Sequence, residues 1–291
     1  MKTFSDIGLI QAYINDIKAL NKQISFVPTM GALHEGHLSL IKHAKKHSTF
    51  VIVSIFVNPT QFGPNEDFSS YPRTIDKDKA LLESLNVDVL FYPSKQSMYP
   101  SSNNNTSITI SSWEKLYCGK SRPIFFQGIC STVLRLFNII RPDYALFGLK
   151  DFQQYTIIKK MTTDLFLPIN ILALPIIRNQ DGLALSSRNS YLSNSQLKEA
   201  TTIYKSLTAA KQRFNNNKNI TVADLISYIK ANLAPSIKVD YCVVIDSHSL
   251  EKVSNLALGQ RILFAGYLDK TRLIDNIELL NANSVNALLK I

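Results

Sequence analysis

The stretch Phe26-Val27-Pro28-Thr29-Met30-Gly31-Ala32-Leu33-His34-Glu35-Gly36-His37-Leu38 decides how this chain is read. Residues 24–27 are a short apolar run of the kind that forms a buried strand. Over residues 36–47, Leu40, Ile41 and Ala44 recur at helical spacing, with Lys42, Lys45 and Lys46 on the other side. A strand therefore feeds a loop that opens a helix. In a parallel α/β sheet such a junction lies at the carboxyl edge, where backbone N–H groups and the positive end of the helix dipole favour phosphate. Gly31 and Gly36 allow the backbone close to a ligand, and Gly36 removes the side chain between His34 and His37. Two imidazoles there can hydrogen-bond, and when protonated neutralise, charge developing on a polyphosphate.

Outward from this junction, the β-branched run over residues 49–57 predicts a strand buried on both faces. It ends at Asn58-Pro59-Thr60-Gln61-Phe62-Gly63. That ending puts Asn58 and Gln61 at the same edge as the histidines, with amides suited to a hydroxyl or a carboxylate. Upstream, Ile7, Ile10, Ile14 and Ile17 predict a helix over residues 6–20 capped by Ser5. Downstream, residues 68–85 read as helical, 87–92 as a strand, 101–112 as a polar loop with a short strand at 108–110, and 116–123 as a loop. Ile129, Val133, Leu136 and Phe137 mark a helix over 128–139, followed by a strand over 143–147. Gly148-Leu149-Lys150-Asp151-Phe152-Gln153-Gln154 then repeats the pattern of a glycine at a helix start, with a lysine suited to phosphate.

The apolar run 169–177 precedes a turn at Asp181-Gly182 and the triplet Ser186-Ser187-Arg188, whose guanidinium and hydroxyls suit phosphate oxygens. From about residue 176 the organisation changes. Helices over 196–214 and 222–233 and strands over 241–245, 262–267 and 272–279 predict a small α+β unit.

Hydrophobic residues make up 45% of the 291 and charged residues 19%, an ordinary globular composition. Lys and Arg exceed Asp and Glu by 32 − 22 = 10. That excess suits anionic small molecules, and without a basic run of five or more it does not predict nucleic-acid binding. Cys118, Cys130 and Cys242 are odd in number and lack metal-ligand spacing, which predicts reduced thiols in the cytoplasm. Asp6 and Asp16 interrupt the N-terminal apolar residues, so no signal peptide is expected. The apolar runs are too short to span a bilayer, and no membrane association is expected.

Pro-Thr-Met-Gly-Ala-Leu-His-x-Gly-His resembles the signature of nucleotidyltransferases that transfer AMP, in the form found in the pantothenate synthetase family. Residues 28–37, 56–62, 147–154, 181–189 and 269–276 all resemble that family. The resemblance implies a Rossmann-like, doubly wound parallel sheet over residues 1–175, with a smaller α+β domain over 176–291 acting as a lid. It implies ATP-dependent condensation of pantoate with β-alanine through a pantoyl adenylate, releasing pyrophosphate and AMP, by a homodimer. ATP would lie along Met30, Gly31, Ala32, Leu33, His34, Glu35, Gly36 and His37, along Gly148, Leu149, Lys150 and Asp151, and at Ile177, Leu185, Ser186, Ser187 and Arg188. His34, His37, Lys150 and Arg188 would be the catalytic set; Asn58, Gln61 and Gln154 would meet the substrates. Mg²⁺ would accompany ATP, held by phosphate oxygens and water, with no metal ligands from the protein.

Where the family carries Arg-Pro-Gly-His-Phe, this chain has Arg122-Pro123-Ile124-Phe125-Phe126, a change expected at the acceptor end of the pocket. The histidines and Ser-Ser-Arg would equally serve adenylyl transfer to a phosphate acceptor. Asn58, Gln61 and Gln154 suit a hydroxyl and a carboxylate better than a phosphate.

Overall fold

The computed structural model describes residues 1–100, 106–217 and 219–279. They form two compact units, Met1–Ile177 and a second beginning at Arg178. Along the first unit run β1 (Lys2–Phe4), α1 (Ile7–Ala19), β2 (Ile24–Thr29), α2 (Glu35–His47), β3 (Phe50–Ile55), α3 (Ile75–Ser84) and β4 (Val89–Phe91). They are followed by α4 (Lys95–Met98), α5 (Cys118–Ser121), α6 (Phe125–Ile140), β5 (Tyr144–Gly148), α7 (Phe152–Asp164) and β6 (Asn170–Leu174).

The six strands form one sheet, ordered β1-β4-β3-β2-β5-β6, and every pairing is parallel. Both faces are covered, which is why β3 reads as an apolar run interrupted only by Ser54 instead of alternating. Val27, Val51, Val53, Ile55, Leu90 and Leu146 pack with Leu38, Leu40, Ile41 and Ala44 of α2 and Leu82 of α3. On the other face Phe26 meets Phe137 of α6 edge-on at 6.5 Å. From β2 the chain moves outward to β3 and β4, then returns to place β5 on the opposite side of β2. The carboxyl ends of β2 and β5 therefore flank the point where strand order reverses, the place where open α/β sheets bind ligands.

The second unit holds α8 (Asn194–Asn216), α9 (Val222–Ala231) and an antiparallel sheet of β7 (Ile237–Ile245), β8 (Arg261–Leu268) and β9 (Thr271–Glu278). Its core joins Ile203, Leu207 and Phe214 of α8 and Leu225 and Ile229 of α9 to Val244, Ile262 and Phe264.

Several local expectations are corrected. Asp6, not Ser5, caps α1, its carboxylate accepting from the Leu9 N–H at 2.8 Å. The helix expected over 68–85 starts only at Ile75, and residues 108–110 form no strand. Of the polar loop around them, residues 101–105 lie outside the described residues. The loop expected over 116–123 contains the single turn α5, and α6 begins at Phe125 rather than at residue 128. β1 was not expected; three residues form a strand only because they pair with β4.

Candidate active site

The loop after β2 is fastened to β3 and to α3. The Thr29 hydroxyl donates to the Ser54 carbonyl at 2.7 Å and accepts from the Gly31 N–H at 3.2 Å, tying the loop to β3. Asp78, 1% exposed on α3, accepts from the N–H groups of Ala32 and Leu33, both at 2.9 Å. Ala32 is left-handed at φ 50°, so these two bonds hold a backbone shape that an alanine rarely adopts. Sequence reading missed Asp78, and its signal was an acid on the buried stripe of α3, four residues before Leu82.

His34 is the N-cap of α2, and the two histidines form a reciprocal capping box. The Gly36 N–H donates to His34 Nδ1 at 3.1 Å, and the His34 N–H donates to His37 Nδ1 at 3.4 Å. Since each Nδ1 accepts, each ring carries its proton on Nε2. The ring centroids are 4.1 Å apart. A Cβ at position 36 would stand 2.8 Å from His34 Cε1, so the glycine between the histidines is a steric requirement.

Burial, with Lys150 nearby and Asp151 acting the other way, lowers the His34 pKa from 6.5 to about 4. Burial, then His34 and Lys150, lowers that of His37 to about 3. Both rings are therefore neutral at pH 7 and act as Nε2–H donors. The unfolded chain takes up these protons before the folded one, so the contribution to stability is present above pH 6.5 and lost on acidification towards the folded values. The thermal midpoint should accordingly fall between pH 6.5 and 4, and His37→Gln should make the fall shallower. Parallel melting curves for parent and variant across that range would refute the buried, neutral state.

β5 ends at Gly148 beside β2, and the 3-10 turn Leu149–Asp151 opens α7. Lys150 Nζ lies 3.7 Å from Asp151 Oδ2, and its charge reaches both imidazoles. Gln154 sits half-buried in the first turn of α7, whereas Gln153 is structural. It accepts from the Cys118 N–H and donates to the Trp113 and Leu116 carbonyls. Ile177 is half-buried at the end of the first unit.

Asn58 is 1% exposed, and its amide hydrogens go to Gln61 Oε1 at 3.0 Å and the Gly128 carbonyl at 3.1 Å. Its Oδ1 accepts from the Thr60 N–H and hydroxyl and from the Tyr99 hydroxyl. Asn58 thus has no hydrogen to offer a ligand and orients Gln61 instead. Gln61 Nε2 donates to Met30 Sδ at 3.0 Å, which leaves one amide hydrogen without a partner among the described residues. The Gln61 carbonyl accepts from Arg122 Nη2 at 3.2 Å. Arg122 is held by a two-pronged bond to Glu66, at 2.7 and 2.5 Å, and its guanidinium lies 3.6 Å from the centroid of the Phe125 ring. Phe125 therefore supports Arg122 with an aromatic face, and the polar contact at this end runs from Arg122 to the Gln61 backbone.

In the second unit, the Ser186 hydroxyl accepts from the Arg188 N–H at 3.3 Å and caps the 3-10 turn Ser187–Tyr191. Leu185 is half-buried just before it. Among the described residues no group of three His, Cys, Asp or Glu could hold a metal ion, and no helix is long and apolar enough to cross a membrane.

Residues 2–278 match the family described as pantoate-beta-alanine ligase. The chain is 44% identical over 273 residues to the pantothenate synthetase of Fervidobacterium nodosum, covering 91% of this chain and 96% of that one. It is 43% identical to that of a Sulfurihydrogenibium species over 96% of this chain and 100% of the relative. The crystal structure of the Thermus thermophilus pantothenate synthetase superposes with a TM-score of 0.91 at 37% identity, covering 97% of this chain and all of that one. The pantoate-beta-alanine ligase of Francisella tularensis, solved with beta-gamma ATP and beta-alanine, gives 0.78 at 38% identity over 96% and 98% of the two chains. With a parallel sheet whose switch point carries the paired histidines and Lys150, this chain belongs to the pantoate-beta-alanine ligase family, the pantothenate synthetases.

Proposed function

We propose that this pantoate-beta-alanine ligase works in two half-reactions at the carboxyl edge of the sheet. In the first, a pantoate carboxylate oxygen attacks the α-phosphorus of ATP, the bond to the bridging oxygen breaks, and pyrophosphate leaves. In the second, the amine of β-alanine attacks the carbonyl of pantoyl adenylate, the acyl–oxygen bond breaks, and AMP leaves. Neither step needs a side-chain nucleophile. What the first step needs is alignment and stabilisation of charge on the departing pyrophosphate.

The observation that carries the reading is the capping box of His34 and His37, which turns two neutral imidazoles into fixed Nε2–H donors beside the Lys150 charge. Donors fixed before the reaction need no reorganisation as charge develops. ATP is assigned to Met30 through His37, to Gly148 through Asp151 and to Ile177. Leu185, Ser186, Ser187 and Arg188 are assigned to the same nucleotide on the chemistry of their donors. Gln61 is assigned to pantoate and β-alanine and Gln154 to pantoate, with Asn58 as the support that aims Gln61. The Francisella relative, solved with a nucleotide and β-alanine, supports both ligand classes.

Mg²⁺ would enter with ATP and neutralise phosphate charge. It would be held largely by phosphate oxygens and water. A homodimer in the cytoplasm completes the proposal, and three buried cysteines, none of them in a disulfide, fit a reducing compartment.

The test is pyrophosphate release with ATP and pantoate, with and without β-alanine. A burst near one equivalent per site is expected without β-alanine, and steady AMP production only when it is added. Release of inorganic phosphate and ADP instead would replace the adenylate with an acyl phosphate and overturn the mechanism.

A further inference from the structure

Residues 269–276 resemble the family, as the histidine loop does, yet none of them has a part in the chemistry above. Within the second unit, Asp275 of β9 is 4% exposed and grips Arg178 with both oxygens. Arg178 Nη1 donates to Oδ2 at 2.6 Å and Nη2 to Oδ1 at 2.8 Å. Nη1 also donates to the Gly182 carbonyl at 3.1 Å, and the guanidinium lies 3.7 Å from the centroid of the Tyr204 ring on α8. Arg178 is the first residue of a tight hairpin. It bridges Ala184, the Asn179 N–H bonds the Leu183 carbonyl at 2.9 Å, and the Gly182 N–H bonds the Asn179 carbonyl at 3.0 Å. Gly182 is left-handed at φ 92°, and a Cβ there would stand 2.5 Å from Tyr204 Cδ1.

The Ser186-Ser187-Arg188 turn hangs directly from this hairpin. Asn189 Nδ2 donates to the Ala184 carbonyl at 3.1 Å, and the Asn189 N–H to the Ser186 carbonyl at 3.0 Å. Beyond it, the capping box of Ser193 and Gln196 starts α8. The chain from Arg178 to Ser193 is thus fastened at each turn, and the fixed point at its start is the Arg178–Asp275 fork.

We propose that Asp275, acting through Arg178, is a positioning residue that sets the Ser186-Ser187-Arg188 turn for the triphosphate of ATP; this rests on the reading of that turn as a phosphate-binding segment. A buried ion pair is a weak source of net stability compared with apolar residues in the same space, whereas a two-pronged guanidinium–carboxylate bond fixes direction. The core of α8, α9 and the sheet is built from other residues. Asp275→Asn leaves the Arg178 charge without its counter-ion, whereas Arg178→Lys keeps both charges and loses only the fork, so the second variant separates the direction of the turn from the folding of the unit.

The test uses the full chain with Asp275→Asn, Arg178→Lys and Arg188→Ala. Single-turnover pyrophosphate release from ATP and pantoate is measured beside hydrogen exchange over residues 178–190. Asp275→Asn should slow release on the order of 10- to 100-fold and accelerate exchange over residues 178–190 alone, with the KM for pantoate changed less than about twofold. Arg178→Lys keeps the charge but loses the fork, and should behave the same way. It decides the matter if Asp275→Asn does not fold. A folded Asp275→Asn with parental release, beside an impaired Arg188→Ala, overturns this inference alone. Parental release by Arg188→Ala overturns the phosphate-binding reading of the turn, and this inference with it. Faster exchange throughout the second unit would make the pair structural and also overturn it.

Discussion

His37→Ala should lower pyrophosphate release from ATP and pantoate about 10²- to 10³-fold, the loss associated with removing one fixed donor at a developing oxyanion. Two effects act together. The Nε2–H donor disappears, and the His34 N–H loses the Nδ1 that accepts it, so the remaining imidazole sits at a looser helix start. Stability should change by no more than about 1 kcal/mol, because one half of a capping box is lost from a helix whose apolar face stays packed. At pH 5 the variant should even lose less stability than the parent, since a buried imidazole that resists protonation is gone. The measurement is a pyrophosphate assay beside thermal unfolding at pH 7 and pH 5. Release within about threefold of the parent would remove His37 from the catalytic set.

Gly128→Ala should damage packing and substrate binding together in the first unit. A Cβ there would lie 2.3 Å from the Thr60 carbonyl oxygen, 2.5 Å from its carbon and 2.7 Å from the Gln61 nitrogen. These are backbone atoms with no rotamer to change, so α6 or the Pro59–Gln61 turn must move. Overpacking of this kind costs about 1–3 kcal/mol. The same turn carries Gln61, and the Gly128 carbonyl accepts from the Asn58 amide that orients it, so the shift reaches the substrate amide directly. The KM for pantoate should rise and kcat/KM fall on the order of 100-fold, with the KM for ATP little changed. Gly63→Ala is the control: its Cβ would meet only Glu66 atoms, at 3.7 Å, and stability should stay within about 0.5 kcal/mol. Equal rises in the two KM values for Gly128→Ala would mean that the turn serves the nucleotide as well.

By itself the sequence determined the chemistry carried by neighbours along the chain. The apolar run of β2, the glycines after it and the stripe of α2 are local patterns, so the strand–loop–helix junction was legible, as was the lysine after β5. The histidine box belongs here too, since its partners are two and three residues apart. Only the tertiary structure decided which polar groups are already used. Asp78 reaches the histidine loop across 45 residues or more, Asn58 is consumed by Tyr99 and Gly128 at 41 and 70, and Arg178 finds Asp275 at 97. Asn58 and Gln61 look alike as amides at a strand end. They differ because burial demands a partner for every hydrogen of the first and leaves one hydrogen of the second for a ligand. The same holds for Phe125, whose replacement of a histidine was visible at once. Its role under the Arg122 guanidinium depends on Glu66 and on the Gln61 carbonyl, 56 and 61 residues from Arg122, contacts that local periodicity cannot encode.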